Sequence, residues 1–370
     1  MSPYFDTVAI DFIRITLYVL LVLFFSLVIF ILVRRVLLKR WSEKMKKSEE
    51  NIMPNLFLYL DGEITKQKFS DSLKNRFEVI AAFRNITELI DNFDGDQKDK
   101  LRSLLNLPQF NRYYTNSIRT DNTLKLAQAC MYFEKKNIAE RTVINRLKEL
   151  QYHEYPVIKY ASTLALINTS EQEVRDNALN VFIHSKGLAS MAINDIIYKY
   201  CGFHKDSDRA AEILFRYITD PDVPVSNAAS MVKMLPELGF YQMADDLVEF
   251  FRFPYQHDDK GFLTSSLIDA LSDFSGVNVI DLVPEEKTWN SKHIPVRLST
   301  AKWIQKFYSQ DFDPILLRLA VDDDLEVRII AQLALTQSPD AKNIDQQLDV
   351  KYQNEWDEIL KTGDSYVDSV

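Results

Sequence analysis

The most constraining feature of the chain is the apolar run from Ile15 to Val33, ITLYVLLVLFFSLVIFILV. Only Thr16, Tyr18 and Ser26 within it have side chains that carry a polar atom. As an α-helix the run extends roughly 28 Å, which matches the hydrocarbon thickness of a bilayer. Its Leu, Ile, Val and Phe side chains each favour insertion by about 0.3–0.6 kcal/mol. The run therefore predicts a transmembrane helix over residues 15–33.

Two other interpretations of this run fit less well. A cleaved signal peptide has positive charges before a shorter apolar core and ends in a small-residue cleavage site, and none of these features is present. The second alternative is an unusually long buried helix of a soluble protein, but no other stretch of the chain is nearly as apolar.

Charge on the two sides of the run predicts its orientation. Asp6, Asp11 and Arg14 precede it, whereas residues 34–47 hold seven Lys and Arg against one Glu. Because Lys and Arg collect on the cytoplasmic side of a span, we expect the N-terminus outside and the remaining chain in the cytoplasm. The basic residues either only set this orientation, which is the simpler interpretation, or also recruit anionic lipids. The predicted membrane-interface residues are Arg34, Arg35, Lys39, Arg40 and Trp41.

Composition favours an all-α protein from a reducing compartment. The net charge of −9 divides into −1 for residues 1–33, +6 for residues 34–47 and −14 for the rest. Nucleic acid is therefore not an expected partner, because its binding depends on Lys and Arg. Cys130 and Cys201 lie in apolar helical patterns, which excludes a disulfide framework. Eight glycines supply few sheet turns, whereas helices joined by polar turns need little glycine.

The sequence pattern divides the chain into six segments. They are a short extracytoplasmic N-terminus (1–14), the transmembrane helix (15–33), a basic juxtamembrane stalk (34–53), an N-terminal helical region (54–150), a repeat array (151–340), and a C-terminal cap with an acidic tail (341–370). Pro54 predicts a helix break, and apolar spacing between Thr65 and Phe93 predicts one long amphipathic helix. Residues 275–290 are predicted to form a loop.

An internal repeat runs through the second half of the chain. Its clearest copy is DDDLEVRIIAQLALTQS, in which an acidic turn precedes a helical face and Arg328 follows its first Val. Residues of this face are Val327, Ile330, Ala331, Ala334 and Leu335. Similar faces begin at Val157, Val174, Val225 and Val296, and Arg175 and Arg297 take the position of Arg328 in two of them. The spacing is irregular, because 31 residues separate Val296 from Val327 but 51 separate Val174 from Val225.

This pattern resembles the HEAT repeat, in which the first helix of each pair follows a Pro or acidic turn and carries Val-Arg and then alanines. The resemblance covers roughly residues 150–340 and implies a HEAT-like α-α superhelix, or α-solenoid, after one transmembrane helix. In HEAT-like stacks the Arg commonly ties neighbouring turns together through acidic partners. We expect that structural role for Arg175, Arg297 and Arg328, with lining of a binding groove as the alternative.

The densest aromatic cluster is FNRYYTN, which contains Phe110, Tyr113 and Tyr114. Packing between helices is the simpler explanation of this cluster. The alternative is a surface that stacks on a partner or a sugar. On that alternative, Tyr113 and Tyr114 join the three repeat arginines as candidate partner-surface residues.

No catalytic residue, metal site or cofactor is predicted. The chain has no Gly-rich phosphate loop, dinucleotide-binding fingerprint, nucleophile elbow or His-Glu-x-x-His motif. Its five histidines are isolated, and Cys201 with His204, the nearest approach to ligand spacing, supplies too few ligands. Adjacent carboxylates such as Asp245 and Asp246 point apart on a helix. An enzyme is therefore not expected.

These patterns predict a membrane-anchored scaffold or adaptor that presents a cytoplasmic surface to another protein. The layout is similar to that of bacterial inner-membrane HEAT-repeat proteins, some of which accompany membrane glycosyltransferases in surface-polysaccharide production. That resemblance implies a membrane-associated protein partner in a bacterial inner membrane. Two other functions stay open. A nucleic-acid-binding or base-repair HEAT-like protein needs a basic groove, and a tethered receptor for a sugar or small ligand needs a deep pocket lined by the rings of residues 110–114.

Overall fold

A computed structural model describes residues 3–138, 140–203, 207–252, 258–274 and 286–341, with side chains from residue 16 onward. These residues form eighteen α-helices and no strand, which confirms the predicted all-α class. The helices are α1 (Pro3–Leu60), α2 (Lys66–Ser72), α3 (Arg76–Asn92), α4 (Gly95–Leu104), α5 (Pro108–Ser117), α6 (Thr123–Lys136), α7 (Arg141–Leu150), α8 (Pro156–Ile167), α9 (Gln172–Ile183), α10 (Ser190–Gly202), α11 (Ser207–Thr219), α12 (Val225–Glu237), α13 (Ala244–Arg252), α14 (Phe262–Asp273), α15 (Glu286–Trp289), α16 (Ile294–Lys306), α17 (Asp313–Leu319) and α18 (Leu325–Leu335).

The first helix, α1, contains the predicted span. Its most apolar window has no buried residue, and side chains such as Leu23 and Phe24 are about 60% exposed. A continuous stretch of exposed apolar side chains is unfavourable in water, because each one loses the free energy gained by leaving water. The same stretch is favourable in the hydrocarbon core of a bilayer. This helix is long and apolar enough to be a candidate membrane span.

The expected helix break at Pro54 is absent, and α1 continues through it to Leu60. Proline inside a helix costs about 3 kcal/mol, because one backbone hydrogen bond is lost and the ring crowds the preceding turn. Ile52, Leu56 and Leu60 on either side are buried, and α1 packs against α3 along this face. Their burial contributes roughly 5–9 kcal/mol, which outweighs the cost of the proline.

The predicted long helix between Thr65 and Phe93 is two helices, α2 and α3. Asn75 separates them, because its side chain accepts hydrogen bonds from the backbone N–H groups of Phe77 and Glu78. The Glu78 carboxylate in turn accepts from the N–H of Asn75 at 3.0 Å. This capping box starts a new helix within a continuous apolar pattern, which is why periodicity alone joined the two segments.

The chain separates into two compact units, residues 1–136 and 137–370. In the first unit α1 packs on α2 and α3, α3 packs on α4 and α5, and α5 packs on α6. Helix starts and ends here follow local signals: α5 begins at Pro108, and α6 ends just before Asn137, which has a left-handed φ of 59°.

In the second unit the described helices alternate between two roles. Helices α8, α10, α12, α14, α16 and α18 contact one another in that order and are here called the stacked row. Helices α7, α9, α11, α13, α15 and α17 each pack against the row member that follows them in the chain. Row members begin at Pro156, Ser190, Val225, Phe262, Ile294 and Leu325, so successive starts lie 31–37 residues apart.

Two details of the predicted repeat were wrong. The copy at Val174 is α9, which lies outside the stacked row, and the row member there is α10. Its fully buried residues are Ile193, Ile196, Ile197 and Tyr200, so it lacks the alanine pattern that identified the other copies. In α8, Val157 is 64% exposed and Ile158 is buried instead, whereas Ala161, Leu164 and Ala165 of the same predicted face are buried.

Parts of two predicted segments lie outside the described residues. Of the predicted loop 275–290, Glu286–Trp289 forms the short helix α15, and residues 275–285 are not described. The predicted C-terminal cap and acidic tail lie beyond residue 341, where the description ends.

Candidate protein-binding surface

The three repeat arginines make the same local hydrogen bond. Each Nη1 donates to the carbonyl oxygen six residues earlier, from Arg175 to Thr169 at 2.8 Å, from Arg297 to Ser291 at 2.7 Å and from Arg328 to Asp322 at 2.8 Å. The bond closes the turn that leads into the helix and satisfies a carbonyl that has no helical partner. These guanidinium groups therefore stabilise the turns that precede their helices.

Arg297 also forms an ion pair with Asp322, the first residue of the acidic turn before α18. Its Nε and Nη2 donate to the two carboxylate oxygens at 2.6 and 2.9 Å, and both side chains are mostly buried. Burial raises the pKa of Asp322, but the hydrogen bonds from Arg297 and from the Asp324 N–H, with nearby positive charge, outweigh it. The net pKa of this carboxyl lies below its usual value.

The aromatic cluster of the first unit is packed between helices. Tyr114 is fully buried, stacks on Tyr132 with ring centroids 4.5 Å apart, and lies 5.0 Å from the ring of Phe83. Burial raises its pKa far above the usual value. Tyr113 is partly exposed and meets Tyr114 edge-on. Tyr114 was therefore wrongly included among partner-surface residues, because its ring is enclosed by Phe83 and Tyr132.

The predicted membrane-interface residues lie on exposed parts of α1, in the turns that follow Val33. Arg34, Arg35, Lys39 and Arg40 are exposed and form no salt bridge with a described residue, and Trp41 is 47% exposed. Their depth relative to a bilayer stays a prediction.

Exposed apolar side chains occur on α8 and α10, which pack against each other, and we call these side chains the α8–α10 surface. It consists of Tyr155, Val157, Met191 and Tyr198, which are 50%, 64%, 83% and 67% exposed. On α8, Tyr160 donates a hydrogen bond to Asp195 of α10. Val157 lies one turn from Tyr160, and Met191 and Tyr198 each lie one turn from Asp195, so these side chains flank a contact between the two helices.

Large apolar side chains exposed together are typical of protein-binding surfaces. Tyr and Met are also residue types that are enriched at the centre of interfaces. This surface was not predicted from the sequence, because Val157 was assigned to a buried face. The signal that could have identified it is the segment YHEYPV, in which Tyr152 and Tyr155 both precede the helix start at Pro156.

His, Cys, Asp and Glu side chains, which can bind metals, are scattered among the described residues. No group of three His, Cys, Asp or Glu side chains among them is arranged to hold a metal ion. Burial raises the pKa of the Cys201 thiol to about 12, so it stays protonated near neutral pH. His204, its expected neighbour, lies outside the described residues. His184 contacts the Asn180 carbonyl at 2.8 Å and the Asp220 carboxylate at 3.3 Å, which connects two helix ends.

Comparison with known proteins adds no assignment: no protein-family model matches the chain, and no curated protein matches it significantly.

Proposed function

We propose that this protein is a membrane-anchored scaffold or adaptor that binds another membrane-associated protein through the α8–α10 surface. The observation that carries the proposal is the joint exposure of Tyr155, Val157, Met191 and Tyr198 on two contacting helices. Water would otherwise surround these side chains, and their burial against a partner contributes about 25 cal/mol per Å² of apolar area.

The second unit is a HEAT-like α-solenoid in this proposal. Its support is the stacked row, in which described helices recur every 31–37 residues and each contacts the row member two helices on. The repeated Arg-to-carbonyl bond of Arg175, Arg297 and Arg328 adds a shared local geometry. Arrays of this kind build extended surfaces in place of enclosed pockets, which suits a protein partner.

The anchor in this proposal is α1, which crosses a bacterial inner membrane with the N-terminus outside and both units in the cytoplasm. Support comes from the exposed apolar stretch of α1 and from the excess of Lys and Arg after Val33. A green fluorescent protein fused to the C-terminus should fluoresce, because it matures only in the cytoplasm. A dark fusion together with an active C-terminal alkaline phosphatase fusion would contradict the orientation.

The partner class follows from location and chemistry. A protein held at the membrane by α1 meets membrane-associated proteins at high effective concentration, so even a modest apolar surface supports a stable complex. The resemblance to inner-membrane HEAT-repeat proteins suggests a membrane glycosyltransferase or another component of polysaccharide assembly as the first partner to test.

The experiment is a cross-linked pull-down of the full chain from detergent-solubilised membranes. The test variant is the double substitution Met191→Ser and Tyr198→Ser, and the matched control is Leu124→Ser, which removes an exposed apolar side chain that is 65% exposed in the first unit. We expect one membrane protein to be recovered with the wild type and the control but lost with the double variant.

Two results would contradict the proposal. One is a full chain that elutes without a stoichiometric partner under cross-linking. The other is recovery of the same partner by the double variant at wild-type level, which would move the interface away from the α8–α10 surface.

A further inference from the structure

A groove of about 660 Å³ runs between α1 and the start of α3 in the first unit. Its apolar end is formed by Phe30, Val33 and Leu37 of α1, and its other end by basic and aromatic side chains. The lining residues of α1 recur every three or four positions, so they share one face of the helix. Further along, the same face carries the buried Met45, Ile52 and Leu56 that pack the helix into the first unit.

Four positive charges line this groove. Arg34, Arg40 and Lys44 come from α1, and Arg76 comes from the first position of α3. None of them forms a salt bridge with a described residue. Lys44 Nζ and the Arg76 guanidinium lie 5.6 and 4.9 Å from the ring centre of Phe77, which holds both cations at the groove.

Negative charge is turned away from the groove. Glu43, the one acidic residue among residues 34–47, does not line it and lies on the opposite face of α1. Glu78, near the start of α3, accepts hydrogen bonds from the backbone N–H groups of Lys74 and Asn75 at 2.7 and 3.0 Å. The lining of the groove therefore contains four cations and no carboxylate, which favours an anionic ligand.

The position of the groove along α1 selects the kind of anion. From Val33, the last residue of the apolar run, Arg34 to Trp41 rise by about 12 Å, which spans the headgroup layer of one leaflet. Phe30 and Leu37 at the apolar end suit an acyl chain, and the half-exposed Trp41 is the side chain that commonly sits at this level. One molecule that is anionic at one end and apolar at the other is complementary to both ends.

We propose that the groove binds one anionic phospholipid, with the headgroup phosphate between Arg34, Arg40, Lys44 and Arg76 and the acyl chain along Phe30 and Leu37. The inference uses the membrane anchor of the proposed function but not the protein partner. Arg and Lys side chains from two helices converge on the phosphate, which distinguishes this site from a diffuse attraction of basic residues to the bilayer.

The test is lipid binding to the full chain in detergent micelles, followed by native mass spectrometry with added phosphatidylglycerol or phosphatidylcholine. The groove variant is Arg34→Gln with Arg76→Gln. The control is Arg35→Gln with Lys39→Gln, which removes the same charge from residues of α1 that do not line the groove. We expect one preferentially bound phosphatidylglycerol, with affinity lowered roughly tenfold in the groove variant and about twofold or less in the control. Circular dichroism melting establishes that each variant is folded, and Lys44→Gln repeats the test if the double variant is not.

Equal weakening in the groove variant and the control would overturn the proposal, because it would indicate attraction that depends only on charge. Equal binding of phosphatidylglycerol and phosphatidylcholine would also overturn it. Displacement of the lipid by glycerol phosphate or inorganic phosphate at similar concentration would assign the site to a soluble phosphate. Carbonate extraction of membranes separates these results from failure of the anchor, since a chain that is released by carbonate contradicts both proposals.

Discussion

Three arginines of the second unit make the same hydrogen bond to a carbonyl six residues earlier, and Arg297 also pairs with the carboxylate of Asp322 in the turn before α18. Arg175 lies over the ring of Phe203 at 5.5 Å, whereas Arg297 forms the bidentate pair with Asp322. Arg328 returns to the carbonyls of Asp322 and Asp323. All three arginines therefore stabilise the turn before their own helix. A contact with the next turn forms where that turn supplies a partner, as Asp322 does for Arg297.

The Arg297–Asp322 pair should be the most sensitive of these contacts. Arg297→Ala leaves a mostly buried carboxylate with reduced compensation, so we expect a loss of about 3 kcal/mol in the free energy of unfolding. The free energy of unfolding can be measured by urea unfolding of the full chain in micelles with Trp fluorescence as the signal. The buried Trp303 lies on the same helix as Arg297 and reports on it. A double-mutant cycle with Asp322→Ala isolates the pair, and a coupling free energy near zero would contradict this prediction.

The same pair gives a pH dependence. Because the pKa of Asp322 is lowered on folding, its contribution to stability is fully present above the unfolded pKa of about 3.9 and is lost as pH falls through the folded value. We expect the wild type to lose more stability than Asp322→Asn between about pH 5 and pH 2. Urea midpoints measured across this range test the prediction, and parallel curves for the two proteins would be inconsistent with it.

Two stacked tyrosines in the first unit allow a matched comparison of buried hydroxyl groups. The Tyr114 hydroxyl has no hydrogen-bond partner among the described residues, whereas the Tyr132 hydroxyl donates to the Leu105 carbonyl at 2.8 Å. Tyr114→Phe should leave stability unchanged or raise it by up to about 1 kcal/mol, and Tyr132→Phe should lower it by about 1–2 kcal/mol. Thermal unfolding of the two variants provides the measurement. A larger loss for Tyr114→Phe would indicate a partner for that hydroxyl.

At the scale of elements, the stacked row depends on close approach between successive members. Small buried residues such as Ala228 in α12, Ala270 in α14 and Ala301 in α16 let row members come near one another. Asn227 of α12 adds a polar contact, because its Nδ2 donates to the carbonyls of Ile183 and Ser185 at the end of α9. Helix α10 uses bulky isoleucines at its buried face, so the row tolerates different side-chain sizes at different contacts.

Among the described glycines, Gly261 at the start of α14 lies closest to a neighbouring helix. Gly261 has a φ of +70°, and a Cβ there would lie 2.7 Å from His293 Cβ and 2.7 Å from Val296 Cγ2. Gly261→Ala should therefore cost about 2–4 kcal/mol, from the left-handed backbone and the clash with α16. Gly187→Ala, at a φ of +74° with open space around it, should cost only about 1 kcal/mol. Equal shifts in the urea midpoint would show that the contact with α16 adds nothing.

At the scale of the whole molecule, α1 is the candidate membrane span and therefore the proposed anchor. Aspartate at the centre of a span costs about 2.5–3.5 kcal/mol per residue, so Leu23→Asp with Phe24→Asp should release the chain into the soluble fraction on carbonate extraction. Leu23→Ile with Phe24→Leu keeps the apolar character and should stay in the membrane pellet. A wild-type chain that is itself extracted by carbonate would contradict the anchor.

The sequence by itself determined what depends on neighbours along the chain. The apolar run, the basic segment after it, the helix starts at Pro108 and Pro156 and the all-helical class all follow from the composition and spacing of adjacent residues, because hydropathy, capping and proline geometry act locally. Where two local signals conflicted, as at Pro54 and Asn75, sequence pattern alone did not decide between them.

Only the tertiary structure decided which helices touch and what their contacts leave exposed. The choice of α10 over α9 for the stacked row, the exposure of Met191 and Tyr198 beside α8, and the meeting of Arg76 with the basic face of α1 are contacts between distant parts of the chain. A helical sequence pattern shows that one face of a helix is apolar. The packing of neighbouring helices determines which of those apolar residues are buried and which charged side chains lie close together.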